Sequence, residues 1–426
     1  MKKSCILRTS LAVVLVPLII FVSPPIFAQS STKVSFEELP KLIQERNNHY
    51  KGARKFLEAS GQKTGHLVRS YLPTLKAEVG GETFKRGTHS EMSQPYGAIG
   101  ANINLFRGGK DKLEDDILDK NLELSKSETE SIYEVELAKA RRAFWNLVYQ
   151  KELLRILKAA EEQNQMNLEA AVRRIKAGAA TETDRLDFEM ESTKFEQDIA
   201  RLNLGIKNSM RELKVLIGLS ETSQLETPEQ IPHQHEDQLL KMSVNAQNLR
   251  EVRSLIANQE ISENKKSQYY RWWVPNIDLY GAYGLHTFRE IENVDQQNRK
   301  ETVFGIKLTL DIFDGFQSKV AGSAHSLEAE GFRLEANQVS KELKARIDGA
   351  QDELKLTHDL IHSAEKILEQ GKKYLQRTLS EYSRGVKNSP DVLGANQRFI
   401  EYQRRAIELK KDYQLAKTDL LAVLGQ

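Results

Sequence analysis

The sequence predicts a mainly α-helical chain built as a tandem repeat, each copy pairing a small β part with a long antiparallel helical hairpin. Three observations predict it. One offset overlays the second half on the first, two long stretches read as helix, and short alternating segments precede both of them.

The repeat shows when each residue is set beside the one 207 positions later, the spacing between Phe106 and Phe313. Phe106-Arg107-Gly108 then meets Phe313-Asp314-Gly315, and Glu162-Gln163 meets Glu369-Gln370. Gly178, Asp184 and Leu186 meet Gly385, Asp391 and Leu393, and Gly218 meets Gly425. Charged helices match by chance, but punctuating glycines do not share one offset by chance.

Residues 110–177 contain neither glycine nor proline, enough for a helix about 100 Å long. In the second copy no proline occurs from 276 to 389, although four glycines punctuate its long helix. There Leu343, Ile347, Ala350, Leu354, Ile361, Ala364 and Leu368 fall at steps of three, four or seven, with Thr357 the polar intruder. The first copy carries Ala140, Ala143, Leu147, Leu154 and Leu157 in the same way. Such a narrow stripe is a seam for a neighbouring helix.

The short segments alternate. Ile99, Ala101, Ile103 and Leu105 face one way, and Gly100, Asn102 and Asn104 the other. Phe304, Ile306, Leu308, Leu310 and Ile312 alternate with Gly305, Lys307, Thr309 and Asp311. Strands of about ten residues with one apolar face fit a membrane barrel wall, and a half-buried soluble sheet gives the same pattern. Four strands cannot close a pore alone, so a barrel requires several chains. Tyr269, Tyr270, Trp272 and Trp273 precede a strand, as an interfacial aromatic belt or as packing where helix meets sheet.

The organisation expected is a signal peptide over 1–28, a first repeat over 29–225 and a second over 226–426. The first should hold an N-terminal helix, strands near 72–84 and 96–106, and helices near 108–177 and 182–217. The second should hold a helix near 236–270, strands near 275–288 and 302–313, and helices near 316–384 and 390–424. Polar segments 85–95 and 289–301 would be external loops. The signal follows from Lys2, Lys3 and Arg8 ahead of the apolar run Leu11 to Val22, which is too short to span a bilayer.

Composition excludes several classes. The chain has 62 basic and 60 acidic residues. Removing the three basic residues of the signal leaves 59 against 60, which gives no case for nucleic acid. The one cysteine, Cys5, leaves with the signal, so neither a disulfide framework nor a thiolate metal site is expected. Gly108-Gly109-Lys110 lacks the upstream glycine of a phosphate loop, since Asn104 stands there. No nucleophile elbow or metalloprotease motif occurs, so neither an enzyme nor a cofactor is expected. His233 and His235 form a His-x-His pair without further ligands, which reads as a polar linker.

The sequence resembles the TolC family of outer-membrane efflux proteins over nearly all of the mature chain. The likeness rests on the duplication, on Leu72-Pro73 and Val274-Pro275 where strands begin, and on the junctions at Phe106, Gly108, Phe313 and Gly315. Its most specific piece is Tyr382-Ser383-Arg384-Gly385 followed by Ser389-Pro390-Asp391-Val392-Leu393. The resemblance implies a homotrimer in which each chain gives four strands to a 12-stranded transmembrane β-barrel. A helical α-barrel would continue it across the periplasm of a Gram-negative cell. It implies an adaptor protein, an inner-membrane pump and outer-membrane lipid as partners, and an efflux or type I secretion role.

The resemblance also implies a periplasmic gate at the helical turns marked by Gly178 and Gly385. Asp391 would form an acidic constriction. Tyr382 and Lys387 would bond toward Thr183 and Asp184 of the first copy. Lys387 replaces the family's usual arginine and loses its rigid fork. Gly394 stands where a second aspartate is common, and Asp187 is a candidate to compensate. Asp184 and Asp391 also suit plain helix caps, and Tyr382 suits core packing. The rival reading of the whole chain is a soluble periplasmic coiled-coil adaptor or structural protein.

Overall fold

The computed structural model describes residues 32–84, 92–232, 249–285 and 300–425. The expected signal segment 1–28, most of the two segments expected as external loops and the pair His233/His235 lie outside the described residues.

The chain begins with β1 (Thr32–Lys33) and a short 3-10 turn, Phe36–Glu38. The expected single N-terminal helix is three pieces, α1 (Leu39–Arg46), α2 (Asn48–Gly61) and α3 (His66–Ser70). Asn47 divides the first two because its backbone is extended while its side chain accepts from Tyr50 N, capping α2. Strands β2 (Thr74–Phe84) and β3 (Met92–Phe106) lead into α4 (Lys110–Lys176) and α5 (Glu182–Leu216). A short β4 (Leu225–Glu226) pairs in parallel with β1 and ties the linker back to the start of the chain. The second repeat then runs α6 (Arg250–Tyr270), β5 (Asn276–Leu285), β6 (Lys300–Thr309), α7 (Gln317–Ser383) and α8 (Ser389–Leu424).

Helices α4 and α7 are both 67 residues long, and Gln317 and Ser383 lie 207 positions beyond Lys110 and Lys176. The tandem repeat is therefore structural. At 1.5 Å per residue each helix spans about 100 Å. The apolar stripe of α7 is a buried seam: Leu343, Ile347 and Leu354 pack with Tyr413, Ala416 and Leu420 of α8. Thr357 sits in this seam because its hydroxyl donates back to the Glu353 and Leu354 carbonyls. In α4 the seam residues Ala140, Ala143 and Leu147 join a core that also holds Leu39 and Ile43 of α1, Phe144, and Leu213 of α5.

The four longer strands form one antiparallel sheet in the order β2-β3-β5-β6. Register puts Leu75 opposite Ala101, Ile99 opposite Tyr283, Ile103 opposite Leu279, and Leu279 opposite Ile306. These residues share one face, and Lys76, Asn102, Asp278 and Lys307 share the other. The apolar face is uncovered: Val79 is 89% exposed and Phe304 83%. Strands β2 and β6 are both open edges.

Two details differ from expectation. A bulge between Asn104 and Phe106 sets Phe106, not Leu105, opposite Ile277. Strand β6 ends at Thr309 rather than Phe313, because its partner β5 begins at Asn276, directly after Pro275. Leu310, Ile312 and Phe313 lie beyond the ladder, exposed. The Asp314 carboxylate then accepts from Phe316 N at 2.9 Å and Ser318 N at 2.8 Å and starts α7.

The two junctions use left-handed backbone. Gly108 has φ 67°, and a Cβ there would stand 2.6 Å from Val274. At the next position the first copy has Gly109 and the second has Phe316, with φ 72° and 65°. Phe316 accepts this strained geometry and stacks edge-on against Phe313 at 5.4 Å.

Candidate functional site

The end of the molecule opposite the sheet is where both hairpins turn, and four helices meet there. The two turns are built alike. In the first, Gly178 N donates to Ile175 O and Ala179 N to Arg174 O; in the second, Gly385 N donates to Tyr382 O and Val386 N to Glu381 O. Each is a Schellman close, with Gly178 at φ 71° and Gly385 at φ 80°. Each following helix opens with a capping box, Thr181 with Asp184 on α5 and Asn388 with Asp391 on α8. The cap roles of Asp184 and Asp391 are thus visible in the geometry.

Between the turns lies a small core of Ala171, Phe188, Tyr382 and Val392, one residue from each of α4, α5, α7 and α8. Tyr382 is 4% exposed, and its ring meets Phe188 edge-on at 6.3 Å. Its hydroxyl is buried without a well-formed hydrogen bond, so within this chain the phenol bonds neither Thr183 nor Asp184. Burial raises the phenol's pKa above its ordinary value, with the nearby Arg174 charge pulling the other way.

The donors of the polar contacts between the hairpins are ones that sequence reasoning did not assign to the gate. Ser389, buried at the first position of α8, donates its hydroxyl to Asp184 Oδ1 at 2.5 Å and lies 3.0 Å from Asp187 Oδ2. Its backbone N–H also reaches Asp184 at 3.3 Å. Partial burial pushes the Asp184 pKa upward, but the hydrogen bonds from Ser389 and Thr181 outweigh it and hold the carboxyl at about 2. From α4, Arg174 donates Nη1 to Tyr382 O at 2.9 Å and places its guanidinium 4.4 Å from the Tyr382 ring centroid. Ser389 lies in the Ser389-Pro390-Asp391 piece without a contact being expected of it, and no motif marks Arg174. Their offset partners offer the one available signal: Ser389 stands opposite Glu182 in the repeat, and Arg174 opposite Glu381.

Lys387 sits 3.6 Å from Asp391 within its own turn, and both side chains are about two-fifths exposed. A pair so exposed contributes little, and it partly screens the Asp391 charge. Thr183 is exposed at the start of α5. Asp187 stands by Ser389, and Gly394 supplies no carboxylate on α8. Among the described residues no three His, Cys, Asp or Glu side chains converge as a metal site.

A sequence model of the outer membrane efflux protein family matches residues 243–426. The match covers the second repeat. Solved structures agree on the fold across both repeats. The CmeC outer membrane channel of Campylobacter jejuni superposes with TM-score 0.79 at 16% identity, over 92% of this chain and 85% of that one. The VceC outer membrane protein of Vibrio cholerae gives TM-score 0.77 at 13% identity, over 92% and 96%. The open state of the MtrE outer membrane channel of Neisseria gonorrhoeae gives 0.73 at 16%, over 92% and 88%. No curated protein matches by sequence. No described helix is long and apolar enough to cross a bilayer.

Proposed function

We propose that this chain is an outer-membrane efflux channel in which three copies close their sheets edge to edge into a 12-stranded barrel. Their helical hairpins continue it as a periplasmic duct whose entrance is the four-helix tip. The observation that carries this reading is the sheet itself. It has two open edges and an apolar face that none of the chain's helices cover, an arrangement that water alone would make aggregate. Pairing β2 with β6 of the next copy removes both edges, and lipid covers the apolar face. The seven-residue spacing of exposed Val320, Leu327 and Leu334 on α7 gives a second seam for a neighbouring copy.

The duct is passive. An adaptor and an inner-membrane pump supply the energy for export, by efflux or by type I secretion, and engage the tip. Asp184, Asp391, Tyr382, Lys387 and Thr183 form the gate region there, with Asp184 serving as the acceptor that joins the two hairpins. A soluble periplasmic adaptor would have no use for an exposed apolar sheet in register across both repeats. Membrane fractionation with light scattering of the detergent-extracted protein tests the proposal. Recovery from the outer membrane as a trimer is expected, and recovery as a soluble monomer would refute it.

A further inference from the structure

We infer that Arg174 is the positioning residue that keeps the entrance closed, holding Tyr382 by its ring and its backbone carbonyl rather than by its hydroxyl. This rests on reading the tip as the channel's entrance. Arg174 lies in the last turns of α4 and reaches three groups at once. Nη1 donates to Tyr382 O at 2.9 Å, Nη2 donates to Ala179 O at 3.2 Å, and the guanidinium stands over the Tyr382 ring at 4.4 Å. Both carbonyls belong to hairpin turns, and the Tyr382 carbonyl lies at the C-terminal, electronegative end of a 67-residue helix. A planar cation with several donors suits such a place, since it can stack and donate at the same time.

The phenol oxygen is buried and lacks a well-formed hydrogen bond, so ring and carbonyl carry the contact. The repeat gives the clasp a direction. Positions 174 and 175 are Arg-Ile, while the equivalent positions 381 and 382 are Glu-Tyr. Cation and ring thus stand on different copies, and swinging the second hairpin away from the first must separate them. Phe188, also of the first hairpin, meets the same ring edge-on at 6.3 Å, and Arg174 adds the charged contact.

The test compares full-length wild type, Arg174→Gln, Arg174→Lys, Tyr382→Phe, Tyr382→Leu and the Arg174→Gln/Tyr382→Leu double variant as single channels in planar bilayers. Arg174→Gln and Tyr382→Leu should each raise open probability about tenfold, which corresponds to about 1.4 kcal/mol. The double variant should open no further than Arg174→Gln alone, because the ring contact that Tyr382→Leu removes is already lost with Arg174. Tyr382→Phe keeps the ring and should open far less than Tyr382→Leu, which keeps only the carbonyl; Arg174→Lys should recover part of the closure lost in Arg174→Gln. Equal opening in Tyr382→Phe and Tyr382→Leu would overturn the inference, as would a wild-type record from Arg174→Gln. A Ser389→Ala/Asp184→Ala variant separates the two levels. If it opens while Arg174→Gln stays closed, the clasp is wrong and the entrance reading stands. If wild type and all variants assemble but none conducts, the entrance reading falls and the clasp with it.

Discussion

The two hairpin turns share a backbone and differ in the side chains that join them. Gly178 and Gly385, Thr181 and Asn388, and Asp184 and Asp391 occupy matching positions and make matching turns and caps. Around that frame, Arg174 faces Glu381 across the repeat, Ile175 faces Tyr382, Glu182 faces Ser389, and Asp187 faces Gly394. Glu182 spends its carboxylate on Arg185 of its own helix, whereas Ser389 reaches across to the other hairpin. Duplication preserved what each hairpin needs to fold alone. Divergence fell on the residues by which one hairpin holds the other, and a channel entrance requires that hold to be breakable.

If this contrast is right, changes to the shared frame should act equally in both copies, and changes to the joining residues should not. The largest effect is expected at the seams. Leu147→Ala and Leu354→Ala, at equivalent fully buried sites, should each cost about 2–5 kcal/mol in chemical denaturation. A cost confined to one copy would break the comparison. Next, Ser389→Ala should cost about 1–3 kcal/mol by removing the hydroxyl donor of Asp184, read as faster hydrogen exchange at the 178–184 and 385–391 amides. Glu182→Ala should stay within about 0.5 kcal/mol.

The smallest effect is acid sensitivity. Asp184 is held at about 2, below its ordinary 3.8, so its stabilisation is complete above the ordinary value and is lost as pH falls through the depressed one. Conductance should therefore rise between about pH 4 and 2, and Asp184→Asn should flatten that rise. A response unchanged by Asp184→Asn would assign the acid effect to another group.

Much of this architecture is legible in the residues, for identifiable reasons. Helix length follows from the absence of glycine and proline between Lys110 and Ala177, and the turns follow from the glycines that end both long helices. Alternation in Ile99 to Ile103 and Phe304 to Leu308 gives the sheet faces, because side chains in a strand point to opposite sides in turn. The end of β6 was not legible. Leu310 and Ile312 continue the apolar pattern, and only the partner strand's start after Pro275 stops the ladder. The Arg174 contact was hidden more deeply. It joins residues 208 apart in sequence, and an arginine near a helix C-terminus already has a local explanation in the helix dipole. The N-terminal pieces split at Asn47 because a cap there outweighs helix continuity, and the local sequence signals this only weakly.

The central claim is a conduit through the outer membrane that is closed at its helical end. The most direct measurement is single-channel conductance of the purified mature protein in a planar lipid bilayer. Discrete, long-lived steps of small amplitude, growing when the contacts between the two turns are removed, are the predicted result. A folded, helical protein that neither inserts nor conducts, before or after those contacts are removed, would contradict the account.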